Sequence, residues 1–161
     1  IMQQNEYDVR VVKVVDGDTV DVDIDLGFGV TLTDERVRVM GIDTPESRTR
    51  DKVEDLFGEA AKARLKELMK RGGKLVTTED RKGEDMKGKF GRILGDFKVD
   101  YNGETKLVTD ILVEEGHAVA YFGGSKKEIT MKHLANREKL LREEVISRSS
   151  YDAAVALMEK K

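Results

Sequence analysis

Apolar and polar positions alternate along residues 7–40, YDVRVVKVVDGDTVDVDIDLGFGVTLTDERVRVM, around a series of Val and Ile. A period of two places successive side chains on opposite faces of a strand, and Asp16-Gly17 and Gly27 to Gly29 supply turns, so the segment predicts three strands. Residues 54–70 switch to helical spacing. Leu56, Ala60, Ala63, Leu65, Leu68 and Met69 form an apolar stripe that reads as core, and Arg71-Gly72-Gly73 is its stop. KLVTTED and GRILGDFKVD predict two more strands, joined by a Gly- and Lys-rich loop and followed by the turn YNGE. VTDILVEEGHA predicts a short helix that ends at a Gly-His pair. KEITMKHLANREKLLREEVI predicts a long one whose apolar face runs through Ile129, Leu134 and Leu141. The tail SSYDAAVALMEKK opens on Ser and Asp caps and predicts one helix more, with nothing in the sequence to say what it packs on.

Five strands with helices between and after them predict an α+β chain, rich in β-barrel: a five-stranded barrel of the OB type with about three helices and a candidate C-terminal fourth. The 161 residues suit one domain, with its core over about 8–145 and an extension at 147–161. No internal repeat, low-complexity tract or linker suggests a second. No apolar run approaches the ~20 residues needed to span a bilayer, so no membrane is expected. The opening IMQQNEYDVR lacks the basic and apolar regions of a signal peptide. That favours an intracellular setting, with a removed leader or a missing native start left open.

Composition then narrows the chemistry. The chain has no cysteine, which removes disulfides, a thiolate zinc site and a thiol nucleophile. A metal would have to sit on oxygen, or on His117 and His133, which are far apart in sequence and read as surface or core residues rather than ligands. The net charge of −3 is unevenly spread: residues 1–35 carry nine acids and two bases, residues 81–98 six bases and three acids, and residues 126–148 seven bases and four acids. An acidic face beside basic ones suits a site that uses a cation to meet a phosphate.

Two acidic clusters raise that chemistry. GIDTPES (41–47) ends a strand by gathering Asp43 and Glu46 around the chain's only proline, Pro45. Taken alone, the acids read as caps of the helix that follows. In VVDGDTVDVDIDLG, Asp21, Asp23 and Asp25 share one strand face and read as a solvated, edge-protecting row. Asp16 and Asp18 differ because they flank Gly17 at a turn. If the barrel brings this turn beside GIDTPES, Asp18 and Asp43 meet, and two adjacent carboxylates call for a hard cation such as Ca²⁺ or Mg²⁺. Arg38 and Arg92 offer planar forks that match a phosphate, against the plainer reading of surface ion pairs. Together these groups would form a phosphodiester hydrolysis site.

VVDGDTV, RVRVMGIDTPES, KFGR and LVEEGHAVAY, in this order from about residue 8 to residue 145, resemble the staphylococcal nuclease (thermonuclease) family. The resemblance implies an OB barrel with three helices and a Ca²⁺-dependent endonuclease. Its substrates would be DNA and RNA, single-stranded or locally melted, cut to leave 3′-phosphate and 5′-hydroxyl ends; a monomer is expected, with the oligomeric state left open by the sequence. It implies Asp18 and Asp43 as carboxylate ligands of Ca²⁺, the carbonyl of Thr44 as a third, and Asp16 as a supporting acid. It makes Glu46 the proposed general base and Arg38 and Arg92 the grip on the scissile phosphate. Lys89, Phe90 and Tyr121 fall where the family binds the nucleotide, Tyr121 in a segment one residue shorter here. Where the family often reads DKYGR this chain reads GKFGR, so Gly88 replaces an acid, and Phe90 can stack on a base but donates no hydroxyl bond. The acidic balance predicts a weaker grip on long DNA at moderate salt. The other readings are a non-catalytic protein or nucleic-acid binding module on the same fold, and a structural domain whose acids are caps and whose arginines pair with them.

Overall fold

A computed structural model describes residues 4–78, 92–121 and 123–159. Along the chain run β1 (Gln4–Asp16), β2 (Thr19–Gly27), β3 (Val30–Val39), β4 (Ile42–Asp43), α1 (Lys52–Leu68) and β5 (Gly73–Thr78). They are followed by β6 (Ile93–Tyr101), β7 (Glu104–Leu107), α2 (Val108–Glu115), β8 (Val119–Ala120), α3 (Lys126–Arg142) and α4 (Arg148–Glu159). The main sheet has the order β3-β2-β1-β5-β6-β7. Val37–Val39 of β3 also pair in parallel with Ile93–Gly95 of β6, which closes five strands into a barrel and leaves β7 outside as a hairpin on β6. The fold is therefore the expected α+β, OB-like barrel with four helices.

Alternation explains the barrel core. Val20, Val22 and Ile24 of β2 and Val37 and Val39 of β3 point inward with Phe97 and Val99 of β6, all nearly inaccessible. The acids between them do not form the expected solvated row. Asp21 sits directly across from Arg36 and takes both a 2.8 Å and a 3.1 Å bond from its guanidinium, which lets Asp21 be buried. Asp23 meets Arg10 and the Asp34 amide, and Asp25 caps the turn at Gly27. Beyond the barrel the β2–β3 hairpin runs on as an exposed arm.

Asp51 starts α1 by accepting from the Val53 and Glu54 amides, each at 3.0 Å. Its buried line is Phe57, Gly58, Ala61, Leu65 and Met69, rotated from the expected stripe: at 100° per residue Ala63 falls on the opposite face and is exposed. The stop is where the sequence put it, with the Gly72 amide bonded to the Met69 carbonyl. Gly116 ends α2 at a left-handed φ of 89°, a conformation open to glycine. No side chain of Leu107 caps the start of α2; Asp96 on β6 does so instead, accepting from the Thr109 amide as well as from its hydroxyl. Along α3, Ile129 and Leu140 are buried while Leu134, expected on that face, is half exposed. The inward face of α3 runs along 129, 133, 136 and 140, with Leu140 against Phe57 and Ile146, and residue 134 is turned about 100° away from 133. The C-terminal helix α4 packs on α1: Phe57 and Tyr151 meet edge-on at 6.2 Å, in a cluster completed by Leu140 and Ile146. No helix among the described residues is long and apolar enough to cross a membrane.

Candidate active site

Two turns and one strand end meet above α1. The β1–β2 turn presents Asp16 and Asp18 either side of Gly17. A Cβ at Gly17 would lie 2.8 Å from Cβ of Ala61 and 3.3 Å from Thr44, so this turn is pressed onto the helix and onto the second turn. That second turn, Asp43 to Ser47, is packed more tightly still. A Cβ on Gly58 would lie 2.3 Å from the Glu46 carbonyl oxygen and 2.8 Å from the Ser47 nitrogen. Helix α1 thus offers Gly58 and Ala61, its two smallest buried residues, where the acidic turns approach. Ser47, buried, donates from Oγ to Asp16 Oδ1 and ties the turns together, and Arg48 Nη2 lies 3.6 Å from the same carboxylate.

Asp43 belongs to β4, whose two residues pair with β8: Ile42 with Ala120 and Asp43 with Val119. Arg38 sits across from Thr19 on β3. Its Nη2 reaches Asp18 Oδ2 at 3.3 Å and the Ile42 carbonyl at 3.1 Å, while Nη1 donates to the Val39 carbonyl. Thr19 Oγ1 donates to the other Asp18 oxygen at 3.1 Å. A cavity of about 230 Å³ is lined by Asp16, Asp18, Thr19, Arg38, Asp43, Thr44, Pro45, Glu46 and Arg92. Arg92 also borders a neighbouring hollow of about 690 Å³ that contains Arg36 and Arg48. A larger groove of about 890 Å³ lies by the end of α1. Its Arg64, Lys98 and Lys74 are matched by Glu115, Glu6 and Asp8, and it gathers no comparable set of acids, so chemistry selects the smaller cavity.

The charge in that cavity is negative at its wall and positive at its rim. Glu46 is exposed, yet its carboxyl is held above the ordinary range, first by partial desolvation and then by the carboxylates of Asp18, Asp16, Glu54 and Asp43. The candidate donors, the carboxylates of Asp18 and Asp43 and the Thr44 carbonyl, are all oxygen. That set fits a hard divalent cation. Among the described residues no three His, Cys, Asp or Glu side chains converge closely enough to hold an ion by themselves, so further oxygens would have to come from substrate or solvent.

Of the residues singled out in the sequence, Asp16, Asp18, Arg38, Asp43, Thr44, Glu46 and Arg92 line this one cavity. Tyr121 stands outside it, 45% exposed, its backbone N–H bonded to the Gly41 carbonyl. Lys89 and Phe90, with Gly88, lie outside the described residues. His133, not expected here from the sequence, joins the site: its Nε2 lies 2.6 Å from Asp43 Oδ2. His117 is the core histidine, 5% exposed, its pKa lowered by burial. A histidine four positions after Ile129 on the buried face of α3 was the available signal, and helical phase alone does not say which strand that face meets.

Residues 36–147 match the family described as Staphylococcal nuclease homologue. Over 115 residues the chain is 38% identical to the SPbeta prophage-derived endonuclease YokF of Bacillus subtilis (strain 168). That similarity covers 71% of this chain and 34% of the relative, so the chain spans about a third of the length of the protein it matches. Arg38, Asp43, Thr44, Glu46, Arg92 and His133 fall inside the family match, whereas Asp16 and Asp18 lie outside it, 20 and 18 residues before its start.

Proposed function

The chain belongs to the staphylococcal nuclease homologue family, and from that premise we propose that it is a Ca²⁺-dependent endonuclease. It hydrolyses phosphodiester bonds of single-stranded or locally melted DNA and RNA and leaves 3′-phosphate and 5′-hydroxyl ends. The observation that carries this reading is the convergence of Asp18, Asp43, Glu46, Arg38 and Arg92 on one cavity of about 230 Å³.

Asp18, Asp43 and the Thr44 carbonyl would hold Ca²⁺, which when bound would supply positive charge to offset that of the phosphate. The chain's own groups do the rest. Arg92 and Arg38 bind the phosphate oxygens through their planar forks and stabilise charge that grows on them during the reaction. Arg38 is already aimed by the carbonyls of Val39 and Ile42, which use part of its donor set and fix its plane at the cavity mouth. Glu46 orients the attacking water and takes its proton at the carboxylate. Its raised pKa makes it a stronger base than an ordinary surface glutamate, and the Gly58 contact sets the height from which it reaches. Asp16, bonded by Ser47, keeps the two turns in register.

A binding module without catalysis is the second reading. It draws support from the pairing of Asp18 with Arg38 and of Asp43 with His133, which satisfies both acids without a cation. Incubation with single-stranded DNA in Ca²⁺ and in EDTA, with analysis of product ends, separates the two. Ca²⁺-dependent cleavage leaving 3′-phosphates supports the nuclease. DNA retained but uncut supports the module.

A further inference from the structure

We propose that His133 is a positioning residue for Asp43, holding that carboxylate in the orientation in which it receives the cation; the inference rests on the metal-dependent reading above. The contact spans 90 residues of sequence and closes at 2.6 Å between Nε2 and Oδ2. An ionised carboxylate only accepts, so Nε2–H is the donor. The imidazole is well enclosed, 15% exposed, whereas the Asp43 side chain is 42% exposed and without this bond would turn freely at the cavity mouth.

Asp43 lies on the β4–β8 ribbon, and the helix that carries His133 is tied to the same ribbon. Asp43 pairs with Val119 of β8, and one turn along α3 from His133 the Asn136 side chain donates at 3.2 Å to the carbonyl of Ala118, the residue before Val119. Ile129 and Leu140 bury the two ends of that face of α3. The helix is thereby locked in rotation, and His133 is delivered to Asp43 by backbone fixed at both ends. The bond occupies Oδ2 and leaves Oδ1 for a ligand. Hydrogen bonds to the far oxygen of a ligating carboxylate are a common means of fixing its plane, and their loss typically weakens metal binding about 10- to 100-fold.

The test is calorimetric titration of Ca²⁺ into the full chain, wild type, His133→Ala and His133→Gln, with thermal melts of the three metal-free proteins. The expected result is Ca²⁺ binding weakened about 10- to 100-fold in His133→Ala with an unchanged metal-free melt. His133→Gln, whose side-chain amide N–H can replace Nε2–H, recovers most of the loss. Equal or tighter binding by His133→Ala overturns the inference and leaves the metal site standing. A lowered metal-free melt in His133→Ala, or no recovery in His133→Gln, also overturns it, because the histidine would then act on the fold or through its ring. No Ca²⁺ uptake by the wild type defeats the metal reading and this inference together.

Discussion

Gly58 is the point where the stability of a helix and the position of an active-site turn oppose each other. In an exposed helix interior, Gly→Ala stabilises by about 1 kcal/mol because alanine has less backbone freedom to lose. At position 58 the new Cβ would stand 2.3 Å from the Glu46 carbonyl oxygen and 2.5 Å from its carbon. An acceptable carbon-oxygen approach is about 3.3 Å, so either the turn or the helix has to move by about 1 Å. Both obstructing atoms are backbone, and the turn is pinned by the Ser47–Asp16 bond and by the Arg48 amide on Asp55, so relief is costly. Overpacking of this kind typically costs about 1–3 kcal/mol, which cancels or exceeds the helix gain. The prediction for Gly58→Ala is a net loss of up to about 2 kcal/mol, read as a lower urea midpoint at unchanged slope. Displacing Glu46 by about 1 Å lowers turnover on single-stranded DNA about 100-fold, although no active-site side chain has been changed. A Gly58→Ala protein that is about 1 kcal/mol more stable and fully active would refute the argument.

Three further outcomes are expected. Glu46→Gln and Arg92→Ala each lower kcat about 100- to 1,000-fold, or about 3–4 kcal/mol, with unchanged thermal melts; normal turnover by either folded variant would show the site to be misplaced. Asp18→Ala abolishes Ca²⁺ binding in calorimetry while its far-ultraviolet dichroism stays native, and retained affinity would remove Asp18 from the ligand set. Asp96 gives a pH test: burial raises its pKa from 3.8 to about 6 against the bonds from Thr109 and the Phe97 amide. A raised carboxyl binds more protons folded than unfolded, so its contribution is favourable at low pH and is lost as pH rises from about 4 to 6. Asp96→Asn is expected to gain on the wild type over that window, by at most about 3 kcal/mol, in urea melts at several pH values. A difference that does not vary with pH would count against the raised pKa.

Much of this architecture was readable because it follows from local rules. Alternation around Val20, Val22, Val37 and Val39 specified the hairpins, and Gly72 and Gly116 marked where α1 and α2 end. The acids around Gly17 and Pro45 and the arginines at 38 and 92 were singled out for phosphate chemistry, and the structure brings them to one cavity. What escaped depends on contacts between distant segments. A two-residue ribbon such as β4–β8 has no periodicity to detect, yet it is what aims Asp43. The stripe expected on α1 takes in Ala60 and Ala63 and leaves out Phe57, Gly58 and Ala61, because periodicity does not show that α4 covers Phe57 or that smallness at 58 and 61 lets the turns approach. Asp96 sits on an ordinary-looking alternating strand. Its enclosure comes from α2, which arrives thirteen residues later at Thr109.

The packing of α1 between the barrel and α4 sets an order of assembly. Tyr151, the edge-on partner of Phe57, is made 94 residues after it. At about 5–20 residues per second that interval lasts about 5–20 s. Barrel closure comes sooner, when Ile93–Gly95 reach β3. A growing chain therefore passes through a period in which the barrel is complete while the outer side of α1, the helix on which the acidic turns rest, still shows Val53, Leu56 and Phe57 to solvent or to a chaperone. The floor under the acidic turns gains its support on both sides only after Tyr151 has been made.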